Sequence, residues 1–169
     1  VTAAVDTPDA AAILRELEAK GWRVTHILNT HHHADHAGAN LELKRRTACG
    51  IVGPRADAGR IPGIDVAVGE GDVVALGEHR GAVHDTPGHT RGHIVYHFAD
   101  DGAAFVGDTL FALGCGRLFE GTPAQMWSSL GKIMRWPPET KLYCADEYTQ
   151  ANARFALTVE PDNAALVAR

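Results

Sequence analysis

The chain has 169 residues, 45% of them hydrophobic, and a formal net charge of −5. That length supports one domain with its own core, and the composition is that of a soluble globular protein without low-complexity tracts. With no basic run beyond Lys44-Arg45-Arg46 and no apolar run of membrane-spanning length, nucleic-acid binding and membrane insertion are both disfavoured.

In chain order, residues 1–5 read as the end of a strand, and Thr7-Pro8-Asp9 opens a helix with Pro8 where its missing N–H is harmless. Ile13, Leu14 and Leu17 give that helix an apolar stripe, and Gly21 ends it. The apolar run 24–28 reads as a buried strand, followed by a polar turn and a helix over 37–46. Residues 50–54 form a short strand, and the Gly- and Pro-rich stretch to Gly63 a loop. Residues 65–68, 73–76 and 82–85 alternate like antiparallel strands, and 94–98 and 103–106 follow as two more. Thr122-Pro123 opens a helix expected to bury Met126, Leu130, Ile133 and Met134 before Pro137-Pro138 stops it. Residues 141–144 are a strand, 149–159 a helix, and Pro161-Asp162 begins another. Hairpins followed by strand–helix alternation indicate an α/β architecture of sheets covered by helices.

The turn after residues 24–28 reads Thr30-His31-His32-His33-Ala34-Asp35-His36. Imidazole and carboxylate groups are the donors that borderline divalent cations take. In a near-extended turn His31 and His33 point to the same side, whereas Asp35 and His36 fall where the chain starts to coil and aim at a second point. The spacing suggests two adjacent ions. The bland reading is a solvated loop or a tag-like tract, but a tag would be terminal and would lack Asp35 and the preceding strand. Three more donors follow strands in the same way: His89 in Pro87-Gly88-His89-Thr90, Asp108 in Gly107-Asp108-Thr109, and Asp146 after 141–144. Strand ends aligned along one sheet edge bring such loops together. Alone, His89 would be a turn histidine and Asp108 a cap, but the cluster needs partners. Seven N/O donors shared by two ions leave room for water, as a catalytic site requires. His32 should point away, and His26, His79, His84, His93 and His97 read as core or surface residues.

Cys49, Cys115 and Cys144 are odd in number and widely spaced, which fits packing residues in a reduced, cytoplasmic compartment better than a disulfide frame. No secretory signal is visible, and the start at Val1 leaves processing and truncation open.

The segments 30–36, 87–90 and 107–109 resemble the metal-binding segments of the metallo-β-lactamase superfamily. Residues 114–122, Gly-Cys-Gly-Arg-Leu-Phe-Glu-Gly-Thr, and Glu147-Tyr148-Thr149 are similar to those of its glyoxalase II branch, the hydroxyacylglutathione hydrolases. The resemblance covers essentially the whole chain. It implies an αβ/βα sandwich, a metallo-β-lactamase-like catalytic domain over 1–169, with two divalent metal ions, zinc first and iron or manganese as alternatives, at one edge. His31, His33 and His89 would hold the first ion, Asp35 and His36 the second, and Asp108 would bridge them. Arg117, Phe119 and Tyr148 would contact the glutathione part of a small-molecule thioester, S-D-lactoylglutathione, hydrolysed to D-lactate and glutathione. Asp35 and Asp108 would orient a water activated between the ions. Two departures stand out. Asp146 occupies the place of a family histidine that binds the second ion, and a carboxylate there reaches less far and adds negative charge. Relatives also begin with strands before Val5-Asp6 and continue into helices past Arg169, so the domain is expected to be incomplete at both ends. Asp146 keeps open a mononuclear-iron persulfide dioxygenase and a non-catalytic metal-binding relative. The loop at Arg117-Leu118-Phe119-Glu120 favours the hydrolase. Oligomeric state is not legible in the sequence.

Overall fold

In the computed structural model, which describes residues 1–168, two β-sheets lie face to face with helices on their outer sides. The first sheet takes β1 (Ala3–Val5), β2 (His26–Leu28), β3 (Gly50–Pro54) and β4 (Val66–Val68) in that order, every pair parallel. The second takes β5 (Val73–Leu76), β6 (His79–Asp85), β7 (Ile94–Phe98), β8 (Ala103–Gly107) and β9 (Lys141–Cys144). It is antiparallel from β5 to β8, while β9 runs parallel to β8. The helices are α1 (Ala10–Lys20), α2 (Ala34–Ala37), α3 (Asn40–Thr47), α4 (Pro123–Ile133), α5 (Thr149–Val159) and α6 (Ala164–Val167). None of them is long and apolar enough to cross a membrane.

The period-2 rule explains why the central strands are apolar on both faces. Ile27 and Ile51 point outward into a core with Ala10, Val24 and Leu43, beneath α1 and α3. Their neighbours Leu28 and Val52 point inward and meet Val74, Val83, Ile94, Tyr96 and Phe98 between the sheets. On the far side Val95, Ala104 and Val106 pack on Ile133 of α4. These layers form the αβ/βα sandwich that the resemblance implies. Tyr96, fully buried, donates its hydroxyl hydrogen to the Asn29 carbonyl at 2.8 Å, which satisfies the one polar atom it carries into that layer.

Five details differ from the sequence reading. The helix expected over 37–46 is two helices, α2 and α3. The Ala39 N–H goes to Thr7 O at 3.0 Å, while buried Asn40 bonds the Thr7 hydroxyl and the Asn29 side chain. Ties to β1 and β2 thus turn the chain where propensity alone would continue it. The strand at 65–68 is not part of an antiparallel meander. It joins β3 in parallel after a 3₁₀ turn, Arg55–Arg60, inside the expected loop. Asp9, rather than Thr7, caps α1 by accepting from the Ala11 and Ala12 N–H groups, so Pro8 precedes the cap. In α4 the buried stripe is Met126, Ser129 and Ile133, and Met134 is 65% exposed, one step round from Ile133. Of the three free cysteines only Cys49 packs in the core; Cys115 and Cys144 are exposed.

Candidate metal centre

Parallel pairing gives β1 and β2 one direction, and β6, β8 and β9 run parallel to one another across the second sheet. Their C-terminal ends deliver Asp6, residues 29–31, His89, Asp108 and Asp146 to one rim of the sandwich. The sheets join there through the Ile94 N–H to Thr30 O bond of 2.9 Å. The approach is close enough that Gly107, at φ +48°, has no room for a side chain: a Cβ would stand 2.6 Å from Thr30 Oγ1 and 2.9 Å from His93 Nε2.

His31, His33 and His89 form the first group. His33 Nδ1 lies 3.1 Å from His31 Nε2 and 3.1 Å from His89 Nε2. The outer nitrogens decide where the protons are. His89 Nδ1 is 2.7 Å from the Arg117 carbonyl, which only accepts, so Nδ1 carries the hydrogen and Nε2 a lone pair. Thr30 Oγ1 gives its hydrogen to Asp6 Oδ2 at 2.8 Å and therefore accepts from His31 Nδ1 at 3.0 Å, so His31 Nε2 is also a lone pair. A proton on His33 Nδ1 could serve only one of these two acceptors. Burial, followed by the neighbouring histidines, lowers the pKa of His31 and His33 and so keeps the cluster neutral. Burial lowers that of His89 as well. Converging lone pairs on neutral imidazoles fit a cation.

The second group is His36, Asp108 and Asp146, whose donor atoms lie within 4.8 Å of one another. His36 Nδ1 donates to Asp6 Oδ2 at 2.9 Å, which turns Nε2 toward Asp108 Oδ1 at 3.3 Å and Asp35 Oδ2 at 3.9 Å. Asp108 Oδ1 is buried without a hydrogen-bond partner, and His36 Nε2 faces it. A divalent ion relieves that arrangement. Burial, reinforced by Asp146, Asp6 and Asp35 and opposed by His36, pushes the Asp108 carboxyl up to about 6. At His36 burial acts downward but is outweighed by the Asp6 hydrogen bond and the nearby carboxylates, so its pKa rises. Nearby carboxylates add to both shifts. Asp108 Oδ2 is 3.4 Å from His89 Nε2, so its carboxylate spans the two groups. The donor set as a whole is one that binds divalent metal ions.

Asp35 stands at the rim with a side chain 75% exposed, and Asp146 is partly exposed. A cavity of about 640 Å³ opens over both groups, lined by Arg117, Phe119, Tyr148, Cys115 and Asn152 together with His33, Asp35, His89, Asp108 and Asp146. The Phe119 ring meets His33 and His89 edge-on at 5.5 and 5.4 Å, and Arg117 lies over its face at 5.8 Å. Tyr148 packs edge-on to Phe111 at 5.1 Å. Burial pushes the Cys115 thiol up, so it stays protonated in the wall.

His32 turns away from the donors, as its middle position in the tract indicated, and bonds Asp57 at 2.9 Å. His93, read from sequence as core or surface, is fully buried. Its Nε2 accepts the Asp108 N–H at 3.1 Å, and its ring stacks on His31 at 4.9 Å. The sequence reading overlooked Asp6. Its carboxylate accepts from Thr30 N, Thr30 Oγ1 and His36 Nδ1, and its φ of +55° aims it there. The available signal was its place just beyond β1, the position shared by the other donors.

Comparisons with known proteins agree with this geometry. A family model, the metallo-beta-lactamase superfamily, matches residues 4–145. Hydroxyacylglutathione hydrolases from Maricaulis maris and Methylococcus capsulatus are 60% and 59% identical to the chain, over 96% and 98% of its length. The chain spans 63% and 64% of those two relatives. Among solved structures, ETHE1 from Myxococcus xanthus superposes with a TM-score of 0.76 at 33% identity, covering 86% of this chain and 65% of that one. The B3 metallo-beta-lactamase BLEG-1 gives 0.78 at 23% identity, over 86% of this chain and 80% of its own, a likeness of fold. With the sandwich, the rim of histidines and carboxylates and the match over residues 4–145 in agreement, the chain belongs to the metallo-beta-lactamase superfamily.

Proposed function

We propose that the protein is a metal-dependent thioester hydrolase that cleaves S-(2-hydroxyacyl)glutathione, with S-D-lactoylglutathione as the type substrate, to the hydroxy acid and glutathione. The observation that carries this reading is the pair of inward lone pairs on His31 and His89 beside Asp108, whose Oδ1 is buried without a hydrogen-bond partner, under an open cavity that His89 and Asp108 line. The names of the relatives at 60% and 59% identity supply the substrate class. His31, His33 and His89 would hold one divalent ion, zinc in the first instance. Asp35, His36 and Asp146 would hold a second, with Asp108 shared. When bound, such ions supply Lewis acidity for a carbonyl oxygen and lower the pKa of water to near neutrality.

The chain's own groups do the rest. Asp35 and Asp108 orient the attacking water and draw its proton through their carboxylate oxygens. The water oxygen bonds to the thioester carbon, the C–S bond breaks, and the sulfur leaves as a thiolate, which needs no strong acid because thiols have pKa values near 8.5. Arg117 pairs with a glutathione carboxylate, and Phe119 and Tyr148 form apolar walls beside it. Phe119, over His33 and His89, also keeps bulk water off the reacting carbonyl. No Ser-His-Asp arrangement is needed.

The test combines metal analysis with two thioesters. The expected result is two equivalents of metal, and turnover of lactoylglutathione at least about tenfold above that of lactoyl-N-acetylcysteamine, the worth of one good charged contact. Equal turnover would remove glutathione recognition from the reading. No thiol release from either compound by metal-loaded protein would remove hydrolysis. The partly exposed Asp146, a carboxylate at the second group, favours a second reading, an oxygenase with one iron, which predicts one equivalent of metal and oxygen uptake with a persulfide.

A further inference from the structure

His32 lies between two donors, yet its ring leaves the centre. Its Nδ1 meets Asp57 Oδ2 at 2.9 Å, and Asp57 is only 5% exposed. Asp57 belongs to the 3₁₀ turn Arg55–Arg60, which contributes no donor to either group. Its other oxygen takes Arg60 Nη1 at 3.4 Å. Arg60 Nη2 holds Glu120 Oε1 at 2.8 Å, and Glu120 Oε2 accepts the Arg91 N–H at 2.9 Å. The Arg60 guanidinium and then the Arg91 N–H hold the Glu120 carboxyl down at about 2, so this arm is ionised wherever the protein is folded near neutrality. The Asp57 carboxyl also packs on Gly92, where an added Cβ would collide with its Cγ and Oδ2.

These contacts meet at one buried acid. Fixing the His32 ring fixes the backbone that carries His31 and His33. Contact with Gly92 fixes the loop that carries His89. We infer that Asp57 is a positioning residue: through His32 on one side and Gly92 on the other it sets the spacing between the His31/His33 turn and the His89 loop, and thereby the affinity of the three-histidine group for a divalent cation. A buried carboxylate persists only where its partners satisfy it. Here His32 and Arg60 do so; the Arg60 bond stays within the turn Arg55–Arg60, and the His32 bond ties that turn to the tract. The Arg60–Glu120 arm is the outer brace. It is half-exposed and worth little by itself.

This inference rests on the reading of His31, His33 and His89 as a metal site, and its test does not use turnover. Cobalt(II) is titrated into metal-free protein against a competing chelator, and its visible absorption is recorded as a report of coordination geometry. Asp57→Ala is expected to weaken cobalt binding by roughly tenfold to a hundredfold, the range seen when groups that orient metal ligands are removed, and to change the absorption bands. Asp57→Asn, which keeps an oxygen for His32, should recover most of both. Glu120→Gln should stay within about twofold of the parent, as expected for a partly exposed pair. Should Asp57→Ala fail to fold, His32 gives the same answer from the other side. His32→Leu should bind cobalt as weakly as predicted for Asp57→Ala, and His32→Gln, which retains a donor for Asp57, should bind near the parent. Unchanged affinity and spectrum in Asp57→Ala, or in His32→Leu, would overturn the inference. So would Glu120→Gln losing as much as Asp57→Ala, since that means general loosening. A parent protein that binds no cobalt would instead overturn the metal reading beneath it.

Discussion

The two halves of the proposed metal centre are built differently. The three-histidine half is rigid by construction: His31 is held by Thr30 and Asp6, His89 by the Arg117 carbonyl, and His31 and His89 are buried. The carboxylate half has two buried members, His36 and Asp108, the exposed Asp35 and the partly exposed Asp146. It also faces two spaces. Beyond the cavity under Arg117, a second hollow of about 660 Å³ reaches Asp35, His36 and Asp146 from the side of Val5, Phe105 and Tyr143. Imidazoles fixed before binding lose little freedom when an ion arrives, whereas exposed carboxylates must leave water and settle into one rotamer. The first half should therefore bind earlier and hold longer.

The hardest test of that contrast removes a buried imidazole. His89→Ala should empty the three-histidine group and reduce thioester turnover by more than about a hundredfold, beyond the range for a merely supporting group. Metal content and rate on the same sample check it, and a variant that still retains two ions would erase the distinction between the halves. Asp6→Asn should act next most strongly. Asparagine keeps the shape and tolerates the positive φ, but its amide cannot accept from Thr30 and His36 as the carboxylate does. The expected loss is roughly tenfold to a hundredfold in metal affinity. It should fall mainly on the carboxylate half, because His36 bonds Asp6 directly and His31 only through Thr30. Stepwise chelator titration separates the two ions, and equal losses from both halves would contradict this routing. The smallest effect is a gain. Asp146→His puts a longer nitrogen donor on the exposed side and removes one of the charges crowding Asp108. Second-ion occupancy should rise, with turnover at limiting metal increasing about twofold to tenfold, up to 1.4 kcal/mol of binding. Identical chelator curves for the two proteins would mean that Asp146 takes no part in the second group.

Much of this centre was legible before folding was considered. The tract from Thr30 to His36 is dense in donors, and period 2 separates His32 from His31 and His33 without a structure. His89, Asp108 and Asp146 each announced themselves as polar residues directly beyond apolar strands. Asp6 obeys the same rule and went unnoticed, because a lone aspartate before Thr7-Pro8 reads equally well as part of a helix entry. Asp57 and Glu120 carried no local signal: a carboxylate in a Gly- and Arg-rich loop is ordinarily solvated, and only the turn Arg55–Arg60 folding beneath Gly92 buries it.

What the sequence alone determined, then, is what depends on neighbours along the chain. The apolar runs of the strands, the Gly21 stop, the Thr122 capping box and the inward and outward faces of the histidine tract all follow from periods and caps acting over a few residues. What only the tertiary structure decided depends on groups distant in sequence. The break between α2 and α3 was set by Thr7 and Asn29 bonding Ala39 and Asn40. The placement of β4 beside β3, the tautomers of His31, His36 and His89, and the buried acid beneath His32 have the same kind of origin. A buried polar atom must find a partner wherever the fold supplies one, and that partner is seldom a sequence neighbour.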